Sequence, residues 1–461
     1  MRRYTSIYCR ARARAESPSR FMSDFSASYQ YVTVLPAMRR QRRPLSHKLI
    51  TRVVPLLFAI NLFVFSYGRI VGVSSTVNMI SYGSIVSIWL VAAMAFIKWI
   101  RKVDKPTQRV VLALMAFLVL YPIGLYLAED IPEFNMVRGV LVNIFTAAAF
   151  IIVLLLASPK LHRVRKATLA LLVLAALVNA VTTGYNYTEE VQFGIYERQG
   201  GPFDQPNIAG ALLSAGLLIL LFVRNTKLIW RILSFVLALV MTVATLLTES
   251  YLAIMLGGIF WVTMVLDSQA MQRRYKILVV IFMILLTITG ALLAESRPQA
   301  GGSSMFLNRK VDALRTMVAE KDFFYMLEHS SIIPRWAATV QGINEISNSV
   351  LFGKGLFQRE VYIEYWRGGR LNRHYLVPHN SVVVVWLQTG LFGTLPYVFF
   401  IGYTALYIWD RFSRGRRKLW GAMIVSALIL TVVSITGSLE PILFYLYVAM
   451  LCIAPPPQDK S

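Results

Sequence analysis

Long apolar segments dominate this sequence and restrict what it can fold into. A helix needs roughly 17 to 25 apolar residues to cross the hydrocarbon layer of a bilayer. Because 56% of the 461 residues are hydrophobic and only 15% are charged, the chain holds more apolar length than a soluble core of this size needs. The sequence predicts an all-α fold, a polytopic transmembrane helix bundle of about 12 spans. The spans are expected at about residues 53–72, 78–97, 108–128, 137–157, 167–183, 207–223, 228–247, 251–266, 276–294, 380–405, 419–437 and 440–454.

The distribution of Lys and Arg predicts the orientation, because basic residues in short loops stay on the cytoplasmic side. Basic loops alternate with poorly basic ones, such as the loop that carries Glu129 and Glu133. Twelve spans with both chain ends in the cytoplasm satisfy this alternation and place one long helical loop, residues 295–379, outside. The basic loops contain Lys98 to Lys105, Lys160 to Lys166, Arg224 and Lys227, Arg273 to Lys276, and Arg411 to Lys418.

The N-terminal tail and the basic loops account for most of the net charge of +24, so we predict no nucleic-acid partner. The tail, 1–52, is expected to be disordered and cytoplasmic, touching anionic lipid, or to be an artefact of start-codon choice with Met22 or Met38 as the true start. The remaining predicted regions are spans 1–9 at 53–294, the outer loop at 295–379, spans 10–12 at 380–454, and a cytoplasmic tail at 455–461.

Motifs for cofactors do not occur in this sequence. Cys9 lies in the tail and Cys452 in the last span, so neither suits a structural disulfide. The sequence has no Gly-rich phosphate loop followed by Lys, no His-x-x-x-His pair and no Asp-x-Asp. We therefore predict no metal and no cofactor.

The first candidate site segment runs from Arg198 through a Gly/Pro-rich turn to Asn207. Asn207 is predicted to be the N-cap of the next span. Because a helix N-terminus beside a guanidinium attracts anions, Arg198 is a candidate anion ligand. The alternative is a solvated loop charge for Arg198 and a purely capping role for Asn207.

The second segment begins at Pro334-Arg335-Trp336, where Pro334 suits the first turn of a helix. Ala337, Val340, Ile343 and Ile346 recur at helical spacing and are predicted to form its apolar face. Since a cation near a helix N-terminus opposes the helix dipole, Arg335 is expected to be held by an anionic ligand. The alternative is a surface ion pair with Glu328 or Glu345.

The third segment is Pro378-His379-Asn380-Ser381, where the outer loop meets an apolar span. A titratable imidazole at this boundary is well placed for chemistry on a substrate whose lipid lies in the bilayer. The alternative is a capping or interfacial histidine. Upstream, Leu307, Val311, Leu314 and Val318 predict an amphipathic helix with a basic face that could meet phosphates or lipid headgroups.

Taken in order, these segments resemble the signature of the O-antigen ligase and Wzy-type polymerase superfamily. The resemblance covers roughly residues 50 to 454. It consists of Arg198 with Gly-Pro-Phe-x-x-Pro-Asn, Arg335-Trp336 before Leu-Phe-Gly-Lys-Gly, Pro-His-Asn-Ser, and Gln-Thr-Gly-Leu-Phe-Gly.

The resemblance implies a multi-pass glycosyltransferase of the GT-C type in the bacterial inner membrane with a periplasmic active site. It would transfer a glycan from undecaprenyl diphosphate to an acceptor sugar. Arg198 and Arg335 would bind the diphosphate, His379 would orient or deprotonate the acceptor hydroxyl, and Asn207 and Asn380 would support them. Family members often place an Arg after a Ser near residue 250, whereas Tyr251 follows Ser250 here, so the two-arginine clamp depends on Arg335.

Several functions remain open. A ligase, our first hypothesis, uses the lipid A core as acceptor, and a Wzy-type polymerase uses a second lipid-linked glycan. Either would be a metal-independent inverting enzyme, since a diphosphate leaving group needs charge neutralisation more than protonation. A lipid or glycolipid transporter would show internal repeats or broken helices near the midplane, which the sequence does not clearly indicate. A structural protein would leave Arg198, Arg335 and His379 free to vary.

Overall fold

The structure is a computed structural model. It describes residues 53–60, 75–129, 134–157, 162–193, 206–223, 228–268 apart from 249, 332–356 apart from 348, 360–367, 370–413, 417–434 and 441–454, with single positions at 274, 277 and 281. Arg198, Glu328, the amphipathic segment 307–321 and nearly all of the predicted ninth span lie outside these residues.

Helices make up most of the described chain, as the apolar segments predict. Apart from a single turn at Ile100–Lys102, the helices are α1 (Ser75–Trp99), α2 (Lys105–Leu127), α3 (Phe134–Ala157), α4 (His162–Phe193), α5 (Pro206–Phe222), α6 (Leu228–Leu247), α7 (Tyr251–Asp267), α8 (Ile332–Ile346), α9 (Ser381–Ser413), α10 (Lys418–Ser434) and α11 (Pro441–Ile453). All except α8 coincide with a predicted span, and of the first span only 53–60 is described.

Five of these helices are long and apolar enough to cross a membrane within the described residues. Five further apolar helices are shorter: Ile144–Leu156, Asn207–Phe222, Leu252–Asp267, Lys418–Ser434 and Phe444–Ile453. Many large apolar side chains on these helices are exposed, Ile97 at 81% and Ile229 at 71% among them. An apolar exterior is unfavourable in water and suits lipid, so the protein is a membrane protein.

Small residues let the central pair of helices, α2 and α9, approach closely. A Cβ added at Gly124 on α2 would lie 2.6 Å from the carbonyl oxygen of Thr389 on α9, and one at Gly393 on α9 would lie 3.1 Å from Cδ2 of Tyr121 on α2. Beside this contact, the Tyr121 hydroxyl donates to Gln388 Oε1 at 3.0 Å. Close approach of backbones through glycine is the usual basis of helix packing in membranes.

Contacts between the loops group them at two opposite ends of the bundle. At one end, Arg411 at the end of α9 pairs with Asp104 before α2 at 2.7 Å, and Trp420 donates to Asp267 Oδ2 at 3.0 Å. At the other end, the Glu129 N–H donates to the Gly353 carbonyl oxygen at 3.1 Å. We call the first the inner end and the second the outer end, after the sides that the charge pattern predicts.

The outer loop contains a β-hairpin, which the sequence analysis did not anticipate. Strands β1 (Val361–Arg367) and β2 (Arg370–Leu376) pair antiparallel, with Tyr362 opposite Tyr375 and Glu364 opposite Arg373. The expectation of an all-α fold with a wholly helical outer loop is therefore wrong at this point. Alternating apolar residues around Gly368-Gly369 are a hairpin signal, which the strength of the helical pattern elsewhere obscured.

Helix α9 is interrupted at Gly390, which has φ 61° and ψ −153°. This backbone conformation is readily available only to glycine. The Leu387 carbonyl oxygen accepts from the Lys354 N–H at 2.6 Å, and the Leu391 N–H donates to the Leu351 carbonyl oxygen at 3.2 Å. The turn at 351–354 therefore satisfies backbone groups that the interruption releases, as apolar surroundings require.

Candidate functional site

His379 lies between the end of β2 and the start of α9. The sequence predicts its position just before this helix, but not the strand. The preceding Pro378 is buried, and His379 and Asn380 are half-buried. Asn380 is the N-cap of α9, because its Oδ1 accepts from the N–H groups of Val382 at 3.0 Å and Val383 at 3.3 Å. This cap fixes the backbone on which His379 stands.

Burial lowers the pKa of His379 to about 4, from an ordinary value of 6.5. The second cause is the positive charge of Arg335, and a hydrogen bond with the backbone of Ser434 acts in the opposite direction. A hydrogen bond that raises an imidazole pKa is one in which a ring N–H donates to a carbonyl oxygen. At neutral pH the ring is therefore neutral, with one nitrogen bound to Ser434 and the other carrying a lone pair.

Arg335 lies in the first turn of α8, and its positive charge is the second cause of the lowered His379 pKa. The buried face of α8 carries Ala338 and Gly342. A Cβ added at Gly342 would lie 2.8 Å from Val383 and 3.0 Å from Pro378. Small residues thus bring the Arg335 helix against the His379 segment.

The predicted apolar face of α8 is wrong in part. Val340 and Ile343 are exposed, as is Trp336 at 68%, whereas the smaller Ala338 and Gly342 face α9. Close backbone approach decided this orientation, whereas the bulk of the apolar side chains had suggested the opposite face.

Glu345 was one of the two alternative partners considered for Arg335. It pairs instead with Lys354, at 2.7 Å between Nζ and Oε2. The other alternative, Glu328, lies outside the described residues. The structure therefore assigns Glu345 to the turn that enters the α9 interruption.

Two of the sequence motifs bind to each other and form a clasp, which we define as residues 351–354 together with 387–392. A Cβ added at Gly353 would lie 2.3 Å from the Thr389 nitrogen, and one at Gly390 would lie 2.1 Å from the Leu351 carbonyl oxygen. The rings of Phe352 and Phe392 stack with centroids 5.9 Å apart. The motifs Leu-Phe-Gly-Lys-Gly and Gln-Thr-Gly-Leu-Phe-Gly thus join the outer loop to α9.

Sequence reasoning missed the contribution of α10 to the site. Its last residue, Ser434, contacts the His379 ring. Nearby, Ser381 Oγ donates to the Val432 carbonyl oxygen at 2.9 Å and accepts from the Tyr397 hydroxyl at 3.0 Å. A backbone carbonyl carries no sequence signal, so only the fold identifies this contact.

Arg198 and Asn207 are the two remaining predicted residues. Arg198 lies outside the described residues, so its predicted role stays a prediction. Helix α5 begins at Pro206, so Asn207 lies in its first turn instead of capping it, and the N-cap prediction is wrong. The Oδ1 of Asn207 accepts from Ser250 Oγ at 3.1 Å, which joins the starts of α5 and α7.

Metal ligands do not gather among the residues that the structure describes: no group of three His, Cys, Asp or Glu side chains forms there. Cys452 is a buried free thiol within this same part of the chain.

The part of the chain that carries the site is similar to a known family. No curated protein matches the chain. A family model described as O-antigen ligase matches residues 233–398. The matched range runs from α6 into α9 and contains Arg335, His379 and the clasp, whereas Arg198 and Asn207 precede it. The resemblance to the O-antigen ligase and Wzy-type superfamily is thereby confirmed for the part of the chain that carries the described site.

Proposed function

We propose that this protein is an inner-membrane glycosyltransferase that transfers a glycan from undecaprenyl diphosphate to an acceptor sugar on the periplasmic side. The observation that carries the proposal is a neutral His379 at the outer end of the bundle, on a segment against which the Arg335 helix packs at Gly342, with its pKa lowered by burial and by the Arg335 charge. One group suits a diphosphate and the other suits a hydroxyl. The O-antigen ligase family match supports the same reaction class.

In the proposed reaction, the lone-pair nitrogen of His379 accepts the proton of the acceptor hydroxyl. The hydroxyl oxygen forms a bond with the anomeric carbon, and the bond from that carbon to the diphosphate oxygen breaks. Arg335, joined by Arg198 as the sequence predicts, stabilises the negative charge that develops on the departing diphosphate. Attack from the side opposite the diphosphate inverts the anomeric carbon, and no metal ion is needed.

Donor binding would also change the pKa of His379. The Arg335 charge contributes to the low pKa of His379, and a bound diphosphate would offset that charge. The pKa of His379 would then rise towards neutral pH, where an imidazole base is most effective. Such coupling would activate His379 only when the donor is present.

The interruption of α9 at Gly390, which the sequence did not predict, bears on the transporter alternative. The turn at 351–354 fills this interruption and bonds to its backbone groups. In transporters, unwound backbone lines a substrate site near the midplane. An interruption occupied by the protein's own loop favours a fixed site at one end, which suits a transferase.

The test is incubation of the purified protein with undecaprenyl-diphosphate glycan, either with lipid A core or with no added acceptor. Product formed only with the core would identify a ligase, our first hypothesis, and chain lengthening without it would identify a polymerase. Absence of any product with active donor preparations would contradict the proposal. In cells, normal surface polysaccharide from expressed Ala variants of Arg198, Arg335 and His379 would favour a structural role.

A further inference from the structure

We propose that the outward face of the β-hairpin binds the acceptor glycan and leads it to His379. The inference rests on the proposed transferase function and adds a binding surface to it. The surface, which we call the hairpin platform, consists of Tyr362, Glu364, Arg373 and Tyr375.

The register of the hairpin places these four side chains on one face. Tyr362 is opposite Tyr375 and Glu364 is opposite Arg373, and cross-strand partners lie on the same side of a sheet. The other face is the packed one, since Val361 is 1% exposed and belongs to the apolar cluster with α8 and α9. The platform is therefore anchored from behind while its front remains accessible.

The platform is ordered and exposed. Tyr375 is 68% exposed and Tyr362 is 40% exposed, with ring centroids 5.4 Å apart. The Tyr362 hydroxyl donates to Glu364 Oε1 at 2.9 Å, and Arg373 Nε pairs with the same oxygen at 3.0 Å. These contacts hold the rings and charges in place before a ligand arrives, which reduces the entropic cost of binding.

Hydrogen-bonding capacity remains at this surface. Among the described residues, the contacts involve only the Nε of Arg373 and the Oε1 of Glu364, and the Tyr375 hydroxyl has no partner. A sugar presents hydroxyls at its rim and an apolar C–H face, so it matches aromatic rings flanked by a carboxylate and a guanidinium. Insertion into lipid would instead remove the Glu364–Arg373 pair from water at a net cost.

The short distance along the chain between the platform and His379 identifies the bound glycan as the acceptor. Tyr375 precedes His379 by four residues, a separation of at most about 14 Å between Cα atoms. A short oligosaccharide can span this distance, so a chain bound on the platform would be long enough to reach His379. The donor is held through its diphosphate at Arg335, which lies on α8 and not on the hairpin.

The experiment uses full-length protein in nanodiscs and titrates acceptor at saturating donor. Tyr375→Ala should raise the acceptor KM by about tenfold, with kcat changed less than about twofold and the donor KM unchanged. Tyr375→Phe should retain most of the affinity, and Arg373→Ala should reproduce part of the loss. Tyr126→Ala is the matched control, since Tyr126 is 59% exposed but lies on α2.

A second measurement separates this inference from the proposed function. Delipidated acceptor oligosaccharide is titrated against the protein without donor, and binding is followed by saturation-transfer NMR. Binding to wild type that is lost in Tyr375→Ala supports the platform even if no turnover is seen. An unchanged acceptor KM in Tyr375→Ala, or an effect on the donor KM alone, would overturn the platform while leaving the transferase intact.

Discussion

The two ends of the bundle use arginine in different ways. At the inner end, Arg411 is 6% exposed and pairs with the Asp104 carboxylate at 2.7 Å, while its guanidinium lies 4.8 Å from the centre of the Tyr407 ring. At the outer end, burial first and the positive charge of Arg335 second lower the pKa of His379. The first arrangement joins opposite charges, and the second sets a positive charge against an imidazole.

We therefore expect Arg411 at the inner end to contribute to stability and Arg335 at the outer end to contribute to the reaction. A partly buried pair of opposite charges links the start of α2 to the end of α9 and is expected to stabilise the fold. Burial and the positive charge of Arg335 both disfavour the protonated imidazole, so His379 stays in its neutral form. Changes at the outer end should therefore affect transfer, whereas changes at the inner end should affect folding.

The largest effect is expected for His379→Ala. Loss of the base should reduce kcat by about 10²–10⁴-fold, with membrane insertion and thermal stability retained. The measurement is the rate of glycan transfer by purified protein at equal concentration. His374→Ala is the matched control, because His374 is exposed on the hairpin, outside the platform. Equal rates for both variants would remove His379 from the mechanism.

The next effect is expected at the clasp. Gly390→Ala should lower the free energy of unfolding by about 3 kcal/mol or more, because the new Cβ meets a carbonyl oxygen at a positive φ. Gly402, on the same helix, has nothing within 4 Å of an added Cβ, so Gly402→Ala should be neutral or stabilising by up to about 1 kcal/mol. Thermal unfolding in detergent measures both, and equal losses would refute the clasp.

A smaller effect is expected at the inner end. Asp104→Ala should lower the free energy of unfolding by about 2 kcal/mol, since it leaves Arg411 buried without its carboxylate, although the 27% exposure of Asp104 moderates the loss. The acceptor and donor KM values of the folded fraction should not change. A stable variant with impaired transfer would show that the inner end takes part in the chemistry.

The sequence predicted the helices well because span length and hydropathy report directly on burial in lipid. Helix α6 matches its predicted span at both ends, and α9 begins one residue after its predicted start, where Asn380 caps it. The helix starts near which Arg335 and His379 lie were also predicted. The close approach of α8 to Pro378 could not be predicted, since it depends on the absence of a side chain at Gly342.

The errors occurred where backbone contacts override side-chain pattern. The hairpin and the interruption of α9 both lie in or against the outer loop, where the 3.6-residue periodicity that guided the assignment does not apply. The Gly390 interruption requires the turn at 351–354, some 36 to 39 residues earlier in the chain. Pairings of this range have no local signature, so only the assembled structure reveals them.

The state of His379 also makes stability depend on pH. Its pKa in the folded protein, about 4, is lower than the ordinary value of 6.5, so the unfolded chain binds the proton first as pH falls. The stabilising contribution is therefore complete above about pH 6.5 and is lost as pH falls towards 4. His379→Ala should unfold with a weaker dependence on pH in this window, as measured by thermal melts.

The pH dependence of glycan transfer reports whether His379 acts as a neutral base. The ratio kcat/KM reflects its pKa in the free enzyme, and kcat reflects its pKa in the donor complex. We expect the acid limb of kcat/KM to have its inflection near pH 4 and the acid limb of kcat to have its inflection at a higher pH. Arg335→Gln should raise the pH of the kcat/KM inflection. An inflection near pH 6.5 in wild type that Arg335→Gln does not move would show that burial and Arg335 do not hold His379 neutral, and would contradict the proposed mechanism.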